Sequence, residues 1–500
     1  IRFSIGVGPD APLWLYDNDT DSTNNPYPQV RKIYTTGVSG NSSWPFYPQY
    51  LTQTYKNYCF ELIRQFSLFL RNQPQAKFNL IAFVQVKTGC TGDEVPFKGN
   101  VVIPTDDISP SDWDNFRVEC FIKFKFYFND VTTRKIVLTF NDVEPDDEPI
   151  ANAWVMNNID PAIGFGIKGG AYNRGHHLND EITFKNQWVP FLINPQGLKL
   201  SSASEMDQSW QNGYFTINPA LGFYWAALGA INTGLSSTNM NKGSTKYALE
   251  NPEIIDIFKM YNRYAQQVYP ATATVAVSVF HEGLNAADTV KFSEKVFGKA
   301  SKGNMDRYLK ICKAYESRGA KMDDLKAASE GQVAQRESQN AYNDVGWDIA
   351  EGNYERFLTQ IKPDETSIGL FRVRGVIDEK SSKYDRFARS FDNATGKNTM
   401  FFKFDDEMFA NSRPHSLKFT ITWLDKNAGS TWALKYNKGK DMKTAIEVKG
   451  KGDNKWKSVT VDVADMLLDN SGKFRSDFVL VNTDTVDDIF NGIEVEITRK

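Results

Sequence analysis

Two glutamates close apolar stretches of the kind that form buried strands. Glu94 ends IAFVQVKTGCTGDE at 81–94, and Glu205 ends LKLSSASE at 198–205. Such a pair has a definite chemistry. A glycosidic bond breaks through an oxocarbenium-like state, so one carboxylic acid must protonate the leaving oxygen while a second carboxylate attacks or shields the anomeric carbon. In a retaining enzyme the two groups stand about 5–5.5 Å apart. Residues this distant along a chain meet only if separate strands deliver them to one cavity, so the elements that carry them matter as much as the carboxylates.

Those elements are readable from periodicity. Residues 2–7, 30–36, 79–86, 135–140, 162–168, 198–203 and 223–232 read as short apolar strands. Between them, 48–72 repeats Leu51, Tyr55, Tyr58, Leu62, Phe66 and Phe69 at helical spacing, and 111–129 reads as a helix with Ser111 as its N-cap. Strands alternating with helices indicate parallel βαβ units, whose polar loops follow the strands at the carboxyl end. Seven strands are one short of a closed (β/α)8 TIM barrel, so the first βα unit is expected upstream of Ile1. Helix 252–267 would close the barrel and 272–280 would be a strand outside it. The expected division is a barrel over 1–265, a helical extension over 266–365, and an antiparallel β-sandwich over 366–500, where SLKFTITWLD and its successors alternate apolar and polar residues between turns.

The glutamate segments also carry a resemblance. The chain resembles the clan A glycoside hydrolases, retaining (β/α)8 enzymes with the acid/base Glu after strand four and the nucleophile Glu after strand seven. Its early part is similar to family 42 β-galactosidases and related agarase- and porphyranase-type enzymes. VGPDAPLWL at 7–15 is similar to their strand-two turn, and YPQYLTQTYKNYCFELIRQF to the helix before their acid/base strand. The resemblance implies Glu94 as acid/base and Glu205 as nucleophile. That clan usually places Asn before the acid/base, whereas this chain has Asp93. Asp93 is an alternative acid and Asp207 an alternative nucleophile. The 366–500 region looks like the jelly-roll modules appended to bacterial carbohydrate-active enzymes.

Around that pair, Lys87, Asn141, Tyr172, His176 and His177 are placed by strand ends to meet sugar hydroxyls. Trp14, Trp44, Trp210 and Trp225 offer flat apolar faces for sugar rings, although core packing is the commoner use of a tryptophan. No metal and no cofactor is expected. DNDTDS at 17–22 lacks the glycine and distal Glu of a calcium loop, and the histidine pair has no third ligand at metal spacing. GFGIKGG at 164–170 lacks nucleotide-loop spacing, and NDVEPDDEP at 141–149 reads as a solvated acidic loop. A formal net charge of −3 gives no field for nucleic acid, and no apolar run is long enough to cross a bilayer. The expected partner is a carbohydrate, and oligomeric state is not legible. The chain begins at Ile1 without Met, which implies a removed signal or a late start, and the resemblance implies a secreted, periplasmic or surface-bound bacterial protein. The competing readings are a glycan-binding protein without turnover and a different barrel hydrolase, such as a fucanase, with its acids elsewhere.

Overall fold

The computed structural model describes residues 3–5, 11–16, 28–36, 46–90, 94–128, 136–140, 148–158, 163–167, 202–205, 217–232, 237–239, 242–265, 267, 269–322, 344–347, 349, 351–410, 414–439 and 441–499. It falls into two compact units. The first comprises 1–168 and 194–203, and the second 169–193 and 204–500.

In the first unit, β1 (Phe3–Ile5) is a short strand. Lys32–Thr36 (β2) is a strand, as its β-branched run predicts, but it pairs antiparallel with β3 (Phe46–Pro48) and lies outside the parallel sheet. The expected barrel strand at 30–36 is thereby corrected: β-propensity shows that a segment is extended, not which partner it takes. Helix α1 (Gln53–Arg71) starts where Thr52 Oγ1 accepts from the Tyr55 N–H at 3.4 Å. It buries Tyr55, Ile63, Phe66 and Leu70 and turns Glu61, Arg64 and Gln65 outward. Each of those large apolar side chains contributes about 1.5–3 kcal/mol on burial.

Strand β4 (Ile81–Val86) is the opening strand of the sequence argument. Four of its six residues are buried, as a strand covered on both faces requires. A short strand, β5 (Asn100–Val101), adds to the far side of β2. Helix α2 (Pro110–Phe128) begins one residue earlier than expected. Its cap is Ser109, whose hydroxyl accepts from the Asp112 N–H at 3.1 Å and donates to the Asp112 carboxylate at 2.6 Å. Ser111 is therefore not the N-cap, because Pro110 takes the first helical position and pushes the cap to the residue before it. Strands β6 (Val137–Phe140) and β7 (Ile163–Ile167) flank helix α3 (Pro149–Asn157) in the chain. β1, β4, β6 and β7 are hydrogen-bonded in that order, all parallel.

β8 (Ser202–Glu205) shares its first two residues with the strand expected at 198–203 and runs on through Glu205, while 198–201 lie outside the described residues. The next expected strand, 223–232, is instead the C-terminal ten residues of helix α4 (Pro219–Asn232). The run FYWAALGAI is apolar on every side, so neither period shows. Helix is selected by its length and by its start, where Asn218 Oδ1 accepts from the Leu221 N–H at 3.0 Å ahead of Pro219. Helices α5 (Lys242–Glu250) and α6 (Pro252–Ala265) follow.

The expected strand at 272–280 appears as β9 (Val275–Val279), as a member of the sandwich. The 266–365 segment was expected to be a helical extension. It supplies helix α7 (Met305–Ala314) but also β10 (Tyr354–Arg356) and β11 (Leu358–Ile361). The sandwich therefore begins near 275 rather than 366. Its other strands are β12 (Ile368–Phe371), β13 (Phe387–Ser390), β14 (Thr399–Phe404), β15 (Pro414–Asp425), β16 (Ala428–Lys438), β17 (Asp441–Lys451), β18 (Lys455–Val463), β19 (Phe478–Asn482) and β20 (Ile489–Arg499). One sheet runs β10-β9-β20-β13-β12, with β15 and β18 added through β20. The other runs β11-β14-β19-β16-β17. Between them pack Trp423 and Trp432, edge to face at 5.6 Å, and Phe402 on Phe478 at 5.1 Å.

Candidate functional site

The parallel strands of the first unit share one register. Val86 lies opposite Phe140, and Phe140 opposite Phe165, so the carboxyl ends of β4, β6 and β7 lie at the same edge of the sheet. In parallel α/β structures this edge is where ligands bind.

The turn after β4 is built tightly. The Cys90 N–H donates to the Val95 carbonyl at 2.9 Å and closes the loop. Glu94, at φ +56°, occupies the left-handed region that a non-glycine residue enters only when its surroundings hold it there. Three donors do so: Glu94 Oε2 accepts from the Thr88 N–H at 2.9 Å, the Thr88 hydroxyl at 2.6 Å and the Gly89 N–H at 3.2 Å. The Glu94 carbonyl accepts from the Trp113 indole N–H at 2.6 Å, which ties the turn to α2. Arg117, also on α2, donates to the Thr88 hydroxyl at 3.3 Å. A Cβ on Gly89 would stand 2.4 Å from the Glu94 carbonyl carbon, so only glycine lets the two ends of the turn approach this closely.

Glu94 is 3% exposed and its Oε1 has no hydrogen-bond partner among the described residues. The carboxylate sits at the expected strand end, but one oxygen is spent on its own loop. What this arrangement does by itself is to hold Thr88–Cys90 against Glu94 and Val95. Glu94→Ala is expected to cost about 2–4 kcal/mol, as removal of a charged acceptor from three donors implies. Urea titration of variant and parent checks this, and a loss under about 0.5 kcal/mol would mean the turn does not depend on the carboxylate.

Glu205 is the last residue of β8, and its side chain lies outside the described residues. So do Trp44, Asp93, Asn141, Tyr172, His176, His177, Asp207 and Trp210. Lys87 is half-buried at the end of β4. Trp14 is 44% exposed, with its ring edge-on to Tyr58 at 5.8 Å. Trp225 is corrected. It is 0% exposed in α4, its ring packs against Phe387 at 5.1 Å, and its indole N–H donates to the Lys383 carbonyl at 3.2 Å, so it cannot stack on a ligand.

Thr88 and Arg117 belong to the turn and were not singled out from sequence. Arg117 carried a signal: it lies among Trp113, Phe116, Cys120 and Phe121 on the buried side of α2, where a cation needs a polar destination. Among the described residues, no group of three or more His, Cys, Asp or Glu is placed to hold a metal ion, and no helix is long and apolar enough to cross a membrane.

No family model matches the chain, and no curated protein matches it. Among solved structures it is similar to the K2 cleaved adhesin domain of Lys-gingipain, with 14% identity, 29% of this chain and 90% of that chain covered, and a TM-score of 0.19. It is also similar to the K1 cleaved adhesin domain of Lys-gingipain from Porphyromonas gingivalis, with 12% identity, 28% and 89% covered, and a TM-score of 0.17. Likenesses of this size carry no argument about fold or activity.

Proposed function

We propose that the chain is a secreted or surface-bound retaining glycoside hydrolase acting on a galactose-containing poly- or oligosaccharide. The observation that supports it is the common register of β4, β6 and β7. It places the carboxyl ends of three parallel strands, the one that leads to Glu94 among them, at one edge of a sheet. Glu205, ending β8, is assigned the nucleophile's role: it attacks the anomeric carbon and forms a glycosyl-enzyme ester, while the acid at the β4 turn protonates the departing oxygen and later deprotonates the water that releases the sugar. The acid belongs to the Asp93–Glu94 pair. Glu94 holds the assignment from sequence, and Asp93 is the alternative acid beside it. Comparing D93N with E94Q separates the two.

The test is release of reducing sugar from a polysaccharide panel, with product sizing, by the parent and by E205Q. The expected result is a fall of about 10⁴-fold or more with folding unchanged, as loss of a residue that acts only in the transition state implies. Full activity in E205Q would reject the nucleophile. A second reading draws on the buried, loop-bound Glu94 carboxylate: a glycan-binding protein without turnover. Calorimetric binding with no product across the panel would favour it, and turnover of any glycan would remove it.

A further inference from the structure

In the second unit, α4, α6, β9, β20 and the Lys383–Tyr384 segment enclose a cavity of about 250 Å³. At about 30 Å³ per water, it holds roughly eight waters, and it falls short of the pockets that take drug-sized ligands. It has room for one six-membered ring.

Four polar groups of its wall are uncommitted among the described residues. The Tyr384 hydroxyl has no protein partner. The Lys383 ammonium lies over the rings of Tyr224 and Tyr384, at 5.7 and 5.2 Å from their centroids, helps to hold the Asp256 carboxyl of the same wall low, and makes no hydrogen bond among the described residues. Asn491 accepts from the Tyr224 hydroxyl at 2.9 Å through Oδ1, which leaves its buried Nδ2 without an acceptor. Glu494 receives the Tyr264 hydroxyl at 2.6 Å and Arg263 at 3.5 Å on Oε2, which leaves Oε1 open.

These groups differ in sign and in sense. An anion entering the cavity meets the Glu494 carboxylate, and a cation meets Lys383 and Arg263. A neutral molecule whose hydroxyls each donate and accept can satisfy the ammonium, the amide N–H and the carboxylate oxygen together. Tyr384 and Met260 add apolar surface for the C–H face of a ring. Burial holds the Tyr384 phenol up at about 12, so it remains a protonated donor at neutral pH. We propose that this cavity is a binding site for a single neutral pyranose, as a free monosaccharide or as the end of a chain.

The site needs no turnover and stands whether or not Glu205 is a nucleophile. Its test is titration of the full chain with methyl β-galactoside and methyl β-glucoside, followed by ligand-observed NMR, with galacturonate as the anionic comparison. Saturable binding of a neutral glycoside is expected, weakened about tenfold or more in the K383M/Y384F double variant, as loss of two polar contacts implies, and retained in E205Q. The proposal is overturned if neither neutral glycoside binds the folded protein, if binding is unchanged in K383M/Y384F, if E205Q abolishes it, or if galacturonate is preferred. Glycoside binding without cleavage of any polysaccharide would remove the hydrolase reading and leave this one intact.

Discussion

Arg389→Ala is expected to destabilise the second unit by about 3–5 kcal/mol, the cost of stranding a buried carboxylate. Arg389 and Glu282 are both buried, and the guanidinium Nη2 lies 2.7 Å from Glu282 Oε2 and 3.0 Å from Asp364 Oδ1. Its remaining donors reach Asn353 Oδ1 at 3.1 Å and Ser367 Oγ at 3.3 Å, so one side chain satisfies four acceptors on three segments. Glu282 cannot retreat from the vacancy, because a Cβ on Gly369 would stand 2.3 Å from its Oε2 and the carboxylate is already pressed against that backbone. Lys291, at 3.6 Å from Glu282 Oε1, is the remaining counter-charge. Burial holds the Glu282 carboxyl above the usual carboxylate range even though Arg389 and Lys291 pull it down; without the arginine it is pushed further up. Chemical denaturation measures the loss. A double-mutant cycle with E282Q should show strong coupling, since the variant lacking both charges no longer buries an unpaired one. A loss below about 1 kcal/mol for R389A would show that the pair is replaceable by water.

The second large effect is a dependence on pH centred on Glu355. This half-buried carboxyl accepts from the Gln360 N–H at 2.7 Å and the Ser278 hydroxyl at 3.1 Å, yet burial raises it from 4.5 to about 7. Burial likewise raises Asp488 to about 7 and Asp477 to about 6. The unfolded chain gives up these protons near pH 4, whereas the folded chain keeps them to between about 6 and 7. Between those limits the native state binds more protons at these three groups, so their contribution to stability is fullest below about pH 4 and falls as pH rises towards 7. For Glu355, with its partial exposure, about 2 kcal/mol is the expected share. E355Q keeps the oxygen that accepts and removes the titration. It should match the parent near pH 4 and exceed it by about 2 kcal/mol near pH 8 in urea titrations. Parallel curves for the two proteins would refute the burial account.

Much of the architecture could be read in advance where one face of an element is wet. SLKFTITWLD alternates, and it is the heart of β15. In α1, Tyr55 and Phe66 keep helical spacing. Where both faces are dry the pattern vanishes, which is why FYWAALGAI reads as a strand and is a helix. TATVAVSVF was correctly extended, but its main partner is Ile489–Arg499, more than two hundred residues further on, and no local periodicity reports so distant a pairing. At the β4 turn, the position of Glu94 after a strand was legible. Its left-handed backbone and its three loop donors were not, because they depend on Gly89 and Thr88 closing against it.

Arg307 sets how the 286–298 stretch behaves. Fully enclosed, and without an ion pair among the described residues, its guanidinium donates to the carbonyls of Ala286 at 2.6 Å, Gly298 at 2.8 Å, Asp288 at 3.1 Å and Phe292 at 2.7 Å. A stretch of chain with little repeating structure is thus pinned at four places by one cation on a neighbouring helix. It cannot fray residue by residue: amide exchange there proceeds through one concerted opening, in which latch and loop let go together.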